Sequence, residues 1–236
     1  MGDWGEYVHG IASQMALYRE SARRLCELAE LRSGMTVVDL GAGTGLTSLA
    51  ALDLVPEGLH LTVVEPGPSL LAAARARIGD RAQAFHQVDP AAAAGLVPDK
   101  VDRVLCNLAL LSFPDPEGVL RAWRGKIKPA GRFCFSLSGT WFNVLRDQVT
   151  PQYVFLQELH RQGLLSRAVP SVDRLPNRRS VEGTLKGAGY SPAHYEVQEI
   201  AATRPETEPG GELYNLTRIH PALPGRDHRE AVERTL

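Results

Sequence analysis

The sequence predicts a layered α/β fold in which a mostly parallel central sheet is covered by helices on both faces. Three observations predict it. Short β-branched runs alternate with segments of helical period along the first 140 residues. Those runs are apolar almost end to end, as strands are when both faces of a sheet are buried. The first of them feeds a glycine-rich turn that opens a helix.

The elements follow in order. From Ser13, the residues Met15, Leu17, Tyr18, Ala22, Leu25, Leu28 and Ala29 recur at helical spacing, with Arg19, Glu20, Arg23, Arg24 and Glu27 between them. Arg32-Ser33-Gly34 is expected to stop that helix, since glycine tolerates a left-handed cap. Met35 to Leu40 is a first strand, and Leu46 to Leu54 a helix behind the turn Gly41-Ala-Gly-Thr-Gly45. Leu59 to Glu65 is a second strand, Ser69 to Ile78 a second helix, and Ala82 to His86 a weaker third strand. Val101 to Asn107 is a fourth, Glu117 to Ile127 its following helix, and Gly131 to Ser136 a fifth. The last hundred residues are less patterned. Tyr153 to Leu165 and Val181 to Ala188 read as helices, Ala193 to Ile200 as a strand, and Glu212 onward as helix again. In a parallel sheet of this kind a ligand is expected at the carboxyl ends of the strands.

Composition removes several functional classes. With 26 basic and 27 acidic residues the formal charge is -1, so no global field draws the chain to nucleic acid or anionic lipid. No stretch reaches the roughly 18 apolar residues of a membrane span. Met1-Gly-Asp-Trp-Gly-Glu6 lacks the basic start and apolar core of a signal peptide, and a cytoplasmic location is expected. Cys26, Cys106 and Cys134 are widely spaced in apolar surroundings, which suits buried thiols and not a disulfide or zinc framework.

The chemistry concentrates in Val37-Val-Asp-Leu-Gly-Ala-Gly-Thr-Gly45. Leu46 stands where a G-x-G-x-x-G dinucleotide fingerprint would need its third glycine, and the spacing is G-x-G-x-G with Asp39 two residues upstream. Glu65 ends the second strand, and a carboxylate there can accept both hydroxyls of a ribose diol. Asp89 closes Gln87-Val-Asp-Pro90 after the third strand, where the plain alternative is a turn residue before Pro90. Asp102-Arg-Val-Leu-Cys-Asn107-Leu108 and Lys128-Pro-Ala-Gly131 follow in the same order. Together these motifs resemble the class I S-adenosylmethionine-dependent methyltransferases, most closely the group that includes ubiquinone/menaquinone-biosynthesis and natural-product enzymes. The resemblance covers about Arg19 to Ile200.

The resemblance implies a Rossmann-like methyltransferase sandwich with a helical N-terminal cap and an irregular C-terminal third. It implies one domain over residues 1–236: a cap at 1–34, a cofactor-binding core at 35–138, and an acceptor-side cap with sheet completion at 139–236. The implied cofactor is S-adenosylmethionine, with S-adenosylhomocysteine as product. Its binding residues would be Asp39, Gly41, Ala42, Gly43, Thr44, Gly45, Glu65, Pro66, Asp89, Pro90, Asn107, Leu108 and Tyr18, with Asp89 accepting from the adenine amine. His220 and Tyr7 are the candidate catalytic contacts: His220 lies in a segment that covers the acceptor pocket in related enzymes, and Tyr7 in one that closes over the cofactor. Trp141, Phe142 and Tyr214 are candidate acceptor-lining residues, and no metal is expected. Of the family's final antiparallel hairpin only Ala193 to Ile200 is a good strand candidate, and the closing strand is missing, supplied by an unrecognised segment, or beyond this sequence.

The expected function is in-line transfer of a methyl group to a small-molecule acceptor, without nucleic acid or membrane as partner, in a chain that forms a homodimer or carries an additional domain. The alternative is an accessory cofactor-binding module serving a larger protein. Macromolecular methylation is disfavoured, because Arg178-Arg179 and Arg121/Arg124 are the only basic clusters. An aminopropyltransferase would need an acidic cluster after Asn107, and a nicotinamide-dependent oxidoreductase the missing glycine at Leu46.

Overall fold

A computed structural model describes residues 16–97, 100–137, 142–143, 148–149, 157–158, 161, 178–192, 194 and 196. The chain divides into two compact units, residues 1–137 with 184–192, and residues 138–183 with 193–236.

The first unit holds a five-stranded sheet. Its strands are β1 (Thr36–Leu40), β2 (His60–Val64), β3 (Ala84–His86), β4 (Val101–Asn107) and β5 (Ile127–Ser136). Their order is β3-β2-β1-β4-β5, and every pairing is parallel. From β1 the chain winds outward through β2 to β3, then returns to the other side of β1 to lay down β4 and β5. The order therefore reverses between β1 and β4, and a crevice opens at their carboxyl ends.

Alternation along each strand feeds two cores. Val37, Leu61, Val63 and Leu105 point to one face, where helices α1 (Ala16–Leu28), α2 (Leu46–Leu54) and α3 (Pro68–Ile78) cover them with Leu25, Cys26, Ala51, Leu71 and Ala74. Val38, Leu40, Val64, Val104 and Cys106 point to the other, against Val119, Leu120 and Trp123 of α4 (Pro116–Arg124). Helices on both faces explain why the strands carry no polar face. A three-residue β3, all of it half-buried, finishes one edge.

Differences from the expected boundaries have local causes. Helix α1 ends at Leu28, short of Gly34. Glu30 takes the left-handed position with φ of 51°, and its carboxylate pairs with Arg132 at 3.2 Å. The Ala29 carbonyl is claimed by the guanidinium of Arg103, buried in β4, at 2.5 Å. Helix α4 ends at Arg124, because Ile127 is already strand. The Lys128-Pro-Ala-Gly131 turn is a bulge inside β5: Ile127 faces Val101 and Arg132 faces Arg103, so five residues of β5 span two of β4.

In the second unit, β6 (Phe142–Asn143) pairs antiparallel with β7 (Gln148–Val149). Helix α5 (Arg178–Gly187) begins in that unit and ends in the first, where Tyr190 donates to the Leu120 carbonyl at 2.9 Å. His194 and Glu196, the described residues of the expected strand Ala193–Ile200, are not in a strand.

Candidate functional site

The carboxyl ends of β1, β2 and β4 converge on one loop. Asp39 is the penultimate residue of β1 and fully buried. Its Oδ2 accepts from the Ser48 hydroxyl at 2.6 Å, while Oδ1 has no hydrogen-bond partner. Burial pushes this carboxyl up to about 7; Ser48 pulls it back through hydroxyl and backbone N–H, and the Glu65 charge adds to the rise.

Gly41, Gly43 and Gly45 all have positive φ, of 72°, 54° and 83°. Glycines at such a turn would leave no side chain in the way of an incoming ligand. For two of the three the protein itself sets the requirement. A Cβ on Gly41 would lie 2.8 Å from Ala109 Cβ, and one on Gly45 would lie 2.9 Å from Ile78 Cδ1. The outer glycines let the β4 exit loop and α3 close on the turn. Arg77 of α3 adds a clamp, donating to the Thr44 carbonyl at 2.5 Å and its hydroxyl at 2.8 Å.

Glu65 follows β2 and is 6% exposed. Its Oε2 accepts from the Gly43 N–H and its Oε1 from the Gly67 N–H, both at 2.8 Å. Each oxygen keeps a second lone pair, so the carboxylate is oriented by the backbone yet retains two acceptor positions. Pro66 sits in the same turn and is exposed.

Asp89 is exposed, and its Oδ1 accepts from the Ala91 and Ala92 amides at 2.9 and 3.2 Å. These bonds turn the chain into the short 3-10 helix Ala92–Gly95, whose N-cap is Ala91. Pro90 is buried behind it, its carbonyl fixed by the Trp123 indole N–H at 2.9 Å.

Asn107 ends β4, with its Oδ1 accepting from the Ser21 and Ser136 hydroxyls, each at 2.5 Å. Leu108 is left-handed at φ of 55°. Tyr18 is half-buried on α1, one turn before Ser21. From Ser21 beside Asn107 to Ala29 beside Arg103, α1 runs antiparallel to β4. Tyr18 therefore lies about 4.5 Å of helix rise before Ser21, on the side toward the carboxyl end of β4.

The donor set suits an adenosyl group: a buried acidic orphan, an oriented carboxylate with free lone pairs, and a left-handed glycine turn between them. A methyltransferase-domain family model matches residues 38–133, from β1 into β5. Over those residues the chain is similar to methyltransferase domains. A ubiquinone biosynthesis O-methyltransferase from Stutzerimonas stutzeri is 31% identical over 106 residues, 44% of each chain. A ubiquinone/menaquinone biosynthesis C-methyltransferase from Rubrivivax gelatinosus is 26% identical over 181 residues, 74% of this chain and 70% of that one. The chain thus matches less than half the length of the first of these relatives. Among solved structures, the complex between the Haloferax volcanii Trm112 methyltransferase activator and a methyltransferase superposes with a TM-score of 0.57 at 19% identity, over 93% of this chain and 90% of that one.

Of the expected cofactor residues, Asp39 and Gly41 to Gly45 lie at the end of β1, Glu65 and Pro66 follow β2, Asn107 ends β4 with Leu108 after it, Asp89 and Pro90 follow β3, and Tyr18 is on α1. Phe142 lies in β6. Tyr7, Trp141, Tyr214 and His220 lie outside the described residues. Sequence reasoning missed Ser48, Gly67, Ser21 and Ser136. Ser48 carried a signal, since a hydroxyl in the first turns of a helix behind a strand-ending aspartate can reach back to it. Ser21 carried none, being 86 residues from its partner Asn107.

Burial holds the thiols protonated. Cys134 is pushed up to about 11, and Cys26 and Cys106 are driven higher still. Among the described residues no group of acidic, histidine or cysteine side chains could hold a metal ion, and no helix is long and apolar enough to cross a membrane.

Proposed function

We propose that the chain transfers a methyl group from S-adenosylmethionine to a small-molecule acceptor by in-line displacement. The observation that carries the reading is Glu65, a buried carboxylate held by two backbone N–H groups with an acceptor position left on each oxygen. A ribose diol offers two donors of matching geometry, and charge-assisted bonds of this kind are the strong ones.

The other residues divide the ligand between them. Asp39 Oδ1, left without a partner, suits a cationic or N–H donor at the far end of the same molecule. Asp89 Oδ2 suits an exocyclic amine at the base end. Asn107 and Leu108 close the crevice opposite the glycine turn. Bound there, the cofactor supplies an electrophilic methyl on a sulfonium. The protein's part is to hold donor and acceptor in line, which contributes on the order of 7–11 kcal/mol in favourable cases. Tyr7, Tyr18 and His220 are the proposed contacts around the acceptor and the cofactor's amino-acid end, and Trp141, Phe142 and Tyr214 the proposed acceptor lining. Both relatives are named for quinone biosynthesis, one at oxygen and one at carbon, which supports a small-molecule acceptor over a macromolecule.

Calorimetric titration of S-adenosylhomocysteine into the wild type and into Glu65→Ala tests the reading. Saturable binding by the wild type, weakened about 100-fold or more in the variant, is expected from the loss of two charge-assisted bonds. A wild type that binds neither this nucleoside nor the methyl donor would overturn it.

A further inference from the structure

We propose that Ser136 and Ser21 are positioning residues that lock the Asn107–Leu108 turn in the conformation that shapes the cofactor crevice. The proposal rests on the cofactor reading above. It concerns side chains that touch the turn and not the ligand.

Leu108 is one of two non-glycine residues with positive φ among the described residues. Glu30, the other, ends a helix, where a left-handed residue is ordinary. Leu108 instead follows directly on a central strand, in a conformation that crowds its Cβ against the next carbonyl. Something must hold it, and Ser136 does so twice. The Leu108 N–H points to both the Ser136 carbonyl at 3.2 Å and the Ser136 hydroxyl oxygen at 3.1 Å. That hydroxyl's single proton goes to Asn107 Oδ1 at 2.5 Å. Ser21 sends its own proton to the same oxygen at 2.5 Å, and lies 3.1 Å from the Ser136 hydroxyl.

The arrangement has two consequences. Asn107 Oδ1 is occupied by two hydroxyls, so the Nδ2 donors are turned away from the serines. The left-handed step at Leu108 also delivers Ala109 and Phe113 onto the glycine turn, where the room of a missing Cβ on Gly41 is filled by their atoms at 2.8 and 2.9 Å. The conformation of Leu108 is thus transmitted to the loop whose next glycine, Gly43, donates to Glu65. A serine in mid-helix on α1 and another at the end of β5 thereby govern a crevice formed by β1, β2 and β4.

The test is a double-variant comparison on the full chain, titrating S-adenosylhomocysteine by calorimetry with a thermal melt of each protein. Ser136→Ala is expected to weaken binding about tenfold, as loss of a hydrogen bond that fixes geometry would. In a Leu108→Gly background the same change is expected to cost less than about twofold, because glycine takes positive φ without a clamp. Ser136→Thr, which keeps the hydroxyl, is expected to bind like the wild type. Equal losses in the two backgrounds, or no loss from Ser136→Ala, would overturn the proposal while wild-type binding upheld the cofactor reading. A wild type that does not bind overturns both. Should Ser136→Ala fail to fold, Ser21→Ala takes its place, with a loss of about threefold that disappears in the Leu108→Gly background. The proposal is overturned if that loss persists there.

Discussion

Asp39 shows how a single buried carboxylate can couple the site to solution conditions. It has one partner, Ser48, and an unpaired oxygen, and its carboxyl titrates near 7 because burial penalises the charge. Its folded pKa lies above the ordinary carboxyl value of 3.8, so the folded state binds more protons than the unfolded chain between the two. The stability this group contributes is present below about pH 4 and is lost as pH rises through about 7. Asp102 works in the opposite sense. Burial pushes its carboxyl up, but hydrogen bonds from Lys128 and the Thr36 N–H, with the charges of Lys128 and Arg103, together hold it below its ordinary value, so its contribution is present above that ordinary value and is lost as pH falls through the lowered one. Melting temperatures of wild type and Asp39→Asn between pH 4.5 and 7.5 separate the two. The variant is expected to gain on the wild type as pH rises, and parallel profiles would refute the assignment.

At the scale of elements, the helices do more than cover the sheet. Helix α3 sets Ala74 and Ile78 against Gly45, and α4 uses Trp123 to fix the Pro90 carbonyl behind Asp89. Gly45 opens α2 at φ of 83°, with Ile78 Cδ1 2.9 Å from where a Cβ would be. Gly45→Ala is expected to lose about 2–3 kcal/mol in urea unfolding, the sum of a left-handed alanine and a crowded contact. A loss below about 0.5 kcal/mol would show that α3 can move aside. The order and type of these elements were legible in the sequence. Leu46–Leu54 and Val101–Asn107 fall on their expected boundaries: Gly45 opens the first, and the second is a short apolar run that starts after Pro98-Asp99-Lys100. The ends of α1 and α4 were not legible. Their stops depend on Arg103 and on the β5 bulge, which are contacts between distant segments.

Across the whole molecule, Arg103 ties the layers together. It is a cation 6% exposed within a central strand, donating to the Ala29 carbonyl beyond α1 at 2.5 Å and to the Asp102 carbonyl at 2.9 Å. Carbonyls at a helix C-terminus carry partial negative charge, so a guanidinium there is well placed. Arg103→Met keeps much of the volume and removes both bonds. A loss of about 2–4 kcal/mol at an unchanged denaturant slope is expected, and a neutral result would mean that packing alone seats α1.

The sequence by itself determined the parallel α/β architecture, because alternating β-branched and helix-period runs can bury their apolar faces in few other ways. It also determined the glycine turn and the acids at the ends of β1, β2 and β3, since these are local, punctuated by glycine or proline, and chemically distinctive. Only the tertiary structure decided what each of those residues spends its bonds on. Gly41 and Gly45 answer first to Ala109 and Ile78, Glu65 is oriented by Gly43 and Gly67, and Asn107 is held by serines 86 residues before it and 29 after it. Those assignments depend on which chain segments the fold brings within about 3 Å of each other, and hydrogen-bond geometry at that range leaves no trace in local sequence pattern.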